Sequence, residues 1–80
     1  MLVKELIAKA RLNEEKLGFK FTFLSVYKSI PFNSKRKKWQ SVTVYSGDLN
    51  SIPKAVLELE GKSVKTIEDL IYINLGKCIV

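Results

Sequence analysis

The most chemically distinctive stretch of this sequence is a run of four consecutive cations, Lys35, Arg36, Lys37 and Lys38, followed at once by the only tryptophan, Trp39. Lysine and arginine side chains neutralise phosphates and release the counterions that surround a nucleic acid, which gives an affinity independent of base sequence. Arginine can also form two parallel hydrogen bonds to one phosphate. The run therefore predicts contact with a polyanion, and the alternative is a solvated basic turn that only aids solubility.

The excess positive charge of the chain is confined to one segment. Residues 16–47 contain seven cations and no acid, whereas the rest of the chain contains seven cations and eight acids. The net charge of +6 therefore arises from this segment alone. Segregation of this kind favours a polyanionic partner such as a nucleic acid.

Aromatic residues accompany the cations. Trp39 and Tyr45 lie close to them in the sequence, and Tyr27 and Phe32 precede them. A sheet face that exposes rings beside cations is a common way to hold unpaired bases, and each stacked base contributes about 1–3 kcal/mol. The alternative is that Trp39 belongs to the hydrophobic core, as a lone tryptophan in a small domain commonly does.

Hydrophobic periodicity predicts the elements that hold these residues. Residues 2–17 place apolar side chains on one side of a 3.6-residue wheel and predict a helix that ends at Gly18, although Asn13 interrupts the apolar side and predicts a frayed or bent last turn. Residues 19–30 alternate with a period of two, which predicts a long strand ended by Pro31. A second strand is predicted over residues 37–46.

The register of this predicted hairpin decides which side chains face the core. A hairpin closed around residues 33–34 places Phe23 opposite Val44. One side of it then offers a core to the helix, made of Phe19, Phe21, Phe23, Val42 and Val44. The outer side carries Lys20, Thr22, Lys28, Trp39, Ser41, Thr43 and Tyr45. A slip of one residue would exchange the two sides.

The C-terminal part of the chain permits more than one interpretation. A third strand is predicted near residues 55–60, where apolar residues alternate, in preference to a helical turn that would open at Pro53. Residues 66–75 are predicted as a helix with an N-cap at Thr66, because their apolar side chains follow a helical stripe. Residues 70–73 have the composition of a buried strand, which is the alternative.

The predicted fold is α+β, in one domain spanning residues 1–80. An N-terminal helix packs on a small antiparallel sheet, made of the hairpin 19–46 and a third strand, and a C-terminal helix or strand follows. The order helix, strand, strand, strand, helix is similar to that of double-stranded RNA-binding domains. Those domains open their last helix with lysines, whereas residues 65–69 here are half acidic, so no binding residue is carried over. If the C-terminal part is all strand, a small OB-like barrel is the competing architecture.

The composition argues against catalysis and against a metal centre. The chain has no histidine, which is the commonest general base, and Cys78 is its only cysteine. The acidic pairs Glu58 with Glu60 and Glu68 with Asp69 have no third ligand beside them, so no metal or other cofactor is expected. With no secretory signal and no apolar run of about 20 residues, the chain is expected to be cytoplasmic, with no membrane partner.

These observations together predict a small non-enzymatic nucleic-acid-binding protein that contacts mainly the phosphate backbone of DNA or RNA through a basic hairpin turn. The residues expected to bind are Lys35, Arg36, Lys37, Lys38, Trp39, Tyr45, Lys20 and Lys28. The alternative is a protein-interaction module, such as an inhibitor or an assembly factor, that binds an acidic protein surface, with a homodimer as one form of it.

Overall fold

A computed structural model describes residues 1–33 and 38–77 of the chain. The elements follow the order α1 (Val3–Arg11), α2 (Glu14–Leu17), β1 (Phe23–Asn33), β2 (Lys38–Asp48), α3 (Lys54–Leu57), β3 (Ser63–Ile67) and β4 (Leu70–Lys77). The predicted α+β class is confirmed, with the N-terminal helix packed against one side of the sheet.

The four strands form one sheet in the order β2-β1-β4-β3. Strands β1 and β2 pair antiparallel, as do β3 and β4, but β1 and β4 run parallel at the centre, so the sheet is mixed rather than antiparallel. Among the described strands, β2 and β3 are edges, and the OB-like barrel is therefore wrong. The final helix that the likeness to double-stranded RNA-binding domains requires is also replaced by a strand.

The predicted N-terminal helix is divided in two. Helix α1 ends at Arg11, and the four-residue α2 follows after Leu12 and Asn13. Asparagine favours helix ends because its side chain competes for backbone hydrogen bonds, which agrees with the predicted bend. Gly18 ends α2 as predicted, since it adopts a φ of 82° and its N–H donates to the carbonyl of Glu14 at 2.9 Å.

The core lies between α1 and the central strands. Helix α1 contributes the apolar side made of Val3, Leu6, Ile7 and Ala10. Opposite it, Leu24 and Val26 of β1 and Ile71 and Ile73 of β4 are fully buried. The two pairs lie level with each other in the parallel ladder, so each layer of the core combines one residue from each strand.

The predicted core side of β1 is wrong. Phe23 is 46% exposed and Phe19 is 41% exposed, whereas Leu24 is buried. Phe21 is buried, but it precedes β1 and so follows no strand alternation. Strand β4 decides which side of β1 is buried, because its own buried residues lie level with Leu24 and Val26. This effect could not be predicted from the sequence, because β4 is distant from β1 along the chain.

The hairpin register also differs from the prediction. Phe23 pairs with Asp48 instead of Val44, and Asn33 pairs with Lys38, so four residues connect the strands. Pro31 does not end β1, because it pairs with Trp39. In the described part of the chain β4 accompanies β1 only to Ser29, so Pro31 lies where β1 has one neighbour, a place that tolerates the missing N–H.

In the C-terminal part, the strand expected near residues 55–60 and the preferred helix over residues 66–75 are wrong, whereas the alternative, a strand at residues 70–73, is confirmed by β4. The strand expected near residues 55–60 is replaced by helix α3, which begins just after Pro53. The helix expected over 66–75 is a β-hairpin, in which Thr66 belongs to β3 and Glu68, with a φ of 53°, lies in the turn. Over residues 70–73, β4 carries large side chains with apolar surface on both of its sides, and this unbroken run imitates a helical stripe.

The β1–β2 hairpin extends beyond the other strands. Each of its strands has eleven residues, whereas β4 has eight and β3 has five. The pairs Pro31–Trp39 and Asn33–Lys38 have no partner in β4 among the described residues and form a two-stranded segment, hereafter the arm. The protein is accordingly elongated, with extents of 47 × 23 × 20 Å. The predicted basic turn, residues 34–37, connects the strands of the arm but lies outside the described residues.

Candidate nucleic-acid interface

The face of the sheet opposite α1, hereafter the open face, is formed by the side chains that alternate with the buried ones. It comprises Trp39, Ser41, Thr43, Ser46 and Asp48 of β2, Phe23, Ser25, Tyr27 and Ser29 of β1, Leu70, Tyr72, Asn74 and Lys77 of β4, and Ser63, Lys65 and Ile67 of β3. Each strand therefore contributes both polar and apolar side chains to one continuous surface.

A shallow depression of about 360 Å³ lies at the centre of the open face. The rings of Tyr27 and Tyr72 meet there edge to face, with centroids 6.5 Å apart and planes at 73°. The depression is lined by Ser25, Tyr27, Ser41, Thr43, Lys65, Ile67 and Tyr72. All four strands thus contribute to it, and it combines aromatic rings, hydroxyl groups and one ammonium group.

Trp39 belongs to the surface and not to the core. Its side chain is 37% exposed, and the Nζ atom of Lys77 lies 5.0 Å from the centroid of its ring. This distance is typical of a cation–π contact, which fixes the ring beside a positive charge. The exposed Lys38 precedes Trp39 and pairs with Asn33, the last pair of the arm before residues 34–37, so both lie next to the basic turn, as predicted.

The other predicted binding residues are dispersed. Lys35, Arg36 and Lys37 lie outside the described residues, as does the side chain of Phe32. Lys20 precedes β1 and lies at the end of the sheet opposite the arm.

The placement of Lys28 on the outer side is wrong. It follows Leu24 and Val26 at strand spacing and is half-buried on the helix-bearing side of the sheet. Because side chains alternate along a strand, the burial of Leu24 and Val26 excludes Lys28 from the open face.

The predicted placement of Tyr45 on the outer side is also wrong. Val26 pairs with Tyr45, but Tyr27 pairs with Thr43, so Val44 is an extra residue in β2. This β-bulge reverses the alternation and turns Tyr45 toward the core, against which it packs. Its hydroxyl donates to the backbone carbonyl of Asp48 at 2.9 Å, which gives the side chain a structural role.

Replacement of Tyr45 with Phe is expected to lower the free energy of unfolding by about 0.5–1.5 kcal/mol, because one hydrogen bond is lost. Its affinity for nucleic acid should be unchanged, since the ring is turned away from the open face. Urea denaturation and a binding titration measure the two quantities. If the variant binds nucleic acid more weakly but is as stable as the unaltered protein, the prediction is wrong and Tyr45 belongs to the binding surface.

The charges of the sheet are separated along its length. At the end where β1 begins, Asp48 pairs with Phe23, and Asp69 accepts a hydrogen bond from the hydroxyl of Thr22 at 2.6 Å. The carboxylate of Glu14 accepts a hydrogen bond from the N–H of Phe21 at 2.8 Å at the same end. Lys38 and Lys77 lie at the other end, beside the arm. The acids of the sheet therefore lie at one end, where Lys20 and the Arg11 that pairs with Glu14 offset part of their charge, and the arm end is basic.

Lys38 and Lys77, the described lysines at the arm end, form no ion pair with a carboxylate of the described residues. In residues 1–33 and 38–77 two ion pairs occur, one between the N-terminal amine of Met1 and Glu60 and one between Arg11 and Glu14. Neither involves a lysine of the open face or the arm. Those ammonium groups remain accessible to an anionic ligand.

Sequence reasoning missed three residues of this surface, Lys65, Tyr72 and Lys77. All three lie in the segment that was predicted as a helix or next to it, so the strand alternation that aligns them was not applied. The available signal was the strand-like composition of residues 70–73. Their position beside β1 could not have been derived from it, because pairing of β1 with β4 joins segments about 45 residues apart.

No protein-family model, curated protein or solved structure matches this chain. In the described part of the chain, no group of three or more His, Cys, Asp or Glu side chains lies together in a way that could hold a metal ion. Within the same residues, no helix combines the length and apolar character that crossing a membrane requires. Inferences about function therefore rest on the geometry and charge of the open face and the arm.

Proposed function

We propose that this protein is a small non-enzymatic nucleic-acid-binding protein that contacts the phosphate backbone of DNA or RNA through its arm. The observation that carries the proposal is the separation of charge along the sheet. Lys38 and Lys77 lie at the arm end and residues 35–37 add three further cations, whereas Asp48 and Asp69 lie at the opposite end. A field with this polarity orients an approaching polyanion toward the arm.

The geometry of the arm suits the backbone of a nucleic acid. A two-stranded ribbon is narrow enough to lie along a groove or beside a single strand. Lys38 and the three cations that precede it in the sequence would contact adjacent phosphates, and each contact releases condensed counterions. These interactions position the protein without reading base sequence.

A cytoplasmic location is part of the same proposal. The single cysteine of the chain supports it, because a lone thiol without a disulfide partner suits a reducing compartment. Nucleic acid is also an abundant polyanion there. Fractionation of cells that express the tagged protein tests this location.

A salt titration tests the proposed function directly. Binding to labelled DNA and RNA, measured by fluorescence anisotropy, should be clear at about 50 mM salt and fall steeply as salt rises. The slope of log K against log salt should be about −0.7 to −0.9 for each phosphate contacted. No binding at low salt, or a slope near zero, contradicts the proposal.

Binding of an acidic protein surface is the second candidate. The observation that favours it is that, among the described strands, β2 and β3 each have one side without a neighbouring strand. Such edges pair with other chains, including a second copy of the same chain. In this case the arm accelerates association with the protein partner, and the protein retains no nucleic acid at low salt.

A further inference from the structure

We propose that the open face binds unpaired bases, so that the preferred ligand is single-stranded nucleic acid, with one base seated in the depression beside Tyr27 and Tyr72. This inference rests on the proposed function, because the arm supplies the phosphate contacts that hold the strand. It adds a second binding surface, distinct from the basic turn, and a substrate class.

Aromatic rings mark a path along the open face. Phe23 lies level with Leu70 at one end, Tyr72 and Tyr27 follow, and Trp39 lies level with Pro31 at the other end. Two residues of a strand advance about 6.6 Å, so the rows of Phe23 and Pro31 are about 26 Å apart. Phe23 is 46% exposed and Trp39 is 37% exposed. A single strand can turn successive bases onto such rings, whereas a duplex keeps its bases stacked on each other.

The central depression has the chemistry of a base site. It is shallow and open to solvent, with a volume of about 360 Å³, so it offers a base a surface to stack on rather than an enclosing cavity. In the described part of the chain, no hydrogen bond uses the hydroxyls of Ser25, Ser41 or Thr43. A hydroxyl both donates and accepts, so each of these groups can pair with the edge of any base that lies beside it.

The charge of the open face also favours a nucleic-acid strand. Lys65 lies at the rim of the depression and Lys77 lies over the ring of Trp39, and both are exposed. Asp48 lies at the far end of the face, where one of its carboxylate oxygens accepts a hydrogen bond from the N–H of Asn50 at 2.7 Å. Phosphates that follow the row of rings toward the arm therefore meet cations on the way.

The test with the unaltered protein compares three labelled ligands of about 12 nucleotides, a length within the range that one small domain covers. These are an oligothymidylate, an abasic strand of the same length and a duplex. We expect the oligothymidylate to bind about tenfold more tightly than the abasic strand, because one stacked base contributes that much. The fluorescence emission of Trp39 should change when the oligothymidylate binds but not when the abasic strand binds. Equal affinity for all three ligands overturns the inference.

Two matched variants test whether the rings of Tyr27 and Tyr72 cause the tighter binding of oligothymidylate. Tyr27→Ile with Tyr72→Ile removes the rings but keeps β-branched side chains suited to strands, and it should weaken oligothymidylate binding about tenfold. Tyr27→Phe with Tyr72→Phe keeps the rings and should bind as the unaltered protein does. Circular dichroism establishes that both variants are folded. If the isoleucine variant is folded and binds as tightly as the phenylalanine variant, the inference is wrong.

If the isoleucine variant does not fold, a variant that removes charge from the open face provides the test. Lys65→Gln with Lys77→Gln should weaken oligothymidylate binding severalfold, whereas Lys4→Gln with Lys9→Gln, on the exposed side of α1, should not. Equal effects of the two pairs would overturn the role of the open face. The two proposals fail differently: without the proposed function no ligand binds in a salt-dependent way, whereas without a base site the abasic strand and the duplex bind as well as the oligothymidylate.

Discussion

Replacement of Lys35, Arg36, Lys37 and Lys38 with Ala is expected to weaken nucleic-acid binding about 10³-fold at about 0.1 M salt. Each phosphate contact contributes about 0.7 to the salt slope for a single strand and about 0.9 for a duplex. Four lost contacts should therefore lower the magnitude of the slope by about 3. Affinity extrapolated to about 1 M salt, where the counterion contribution vanishes, should change little. Anisotropy titrations at several salt concentrations measure the slope and the affinity together.

The control for this variant removes the same charge elsewhere. Lys4, Lys9, Lys16 and Lys54 are exposed and lie on the three helices, away from the arm. Their replacement with Ala gives the same net charge of +2, since both variants remove four of the excess charges of +6. The control should retain most of the affinity, because binding depends on where the charges lie. Similar losses in both variants would mean that total charge alone drives binding.

Replacement of Leu24 with Ala is expected to lower the free energy of unfolding by about 2–5 kcal/mol, the range for large-to-small changes in a core. Leu24 is fully buried between α1 and the central strands. A domain of this size commonly has only about 3–5 kcal/mol of stability, so a measurable fraction should be unfolded without denaturant. Urea denaturation followed by circular dichroism measures the change.

Phe23 provides the matched comparison, because it is the adjacent residue and faces the opposite side of the sheet. Its side chain is 46% exposed, so Phe23→Ala should cost about 1 kcal/mol or less. The sequence alone predicts the reverse order, since it assigns Phe23 to the core. A larger loss from Phe23→Ala than from Leu24→Ala would show that the faces of β1 are exchanged.

The two surfaces would act in sequence if both proposals hold. The arm acts at long range, because its positive charge attracts a polyanion before contact. The open face acts at short range, since stacking on Tyr27 and Tyr72 requires bases that are already unpaired. A ligand that offers both phosphates and free bases therefore gains from both surfaces, and a duplex gains only from the arm.

Several features follow from local sequence and were predicted. Gly18 ends the helical segment because a glycine adopts positive φ without strain, and Asn13 marks its break. The two long strands around the basic run were predicted because β-branched and aromatic residues alternate there. The confinement of positive charge to residues 16–47 is a property of the sequence alone. The α+β class follows from these local signals.

The faces of the strands were decided only by tertiary structure. A period of two separates two sets of side chains but does not say which set is buried. Leu24 and Val26 are buried because β4 aligns Ile71 and Ile73 with them. The bulge at Val44 then reverses the alternation of β2, so Tyr45 faces the core while Thr43 lies on the open face.

The sequence by itself determined that this protein is α+β and that its positive charge is confined to one segment. Tertiary structure decided which aromatic rings share a surface with those cations. Parallel pairing of β1 with β4 brings Tyr72 to Tyr27, and the same strand brings Lys77 over Trp39. The physical reason is that hydrogen bonding between strands acts between segments distant in the chain, whereas propensity and periodicity describe only near neighbours.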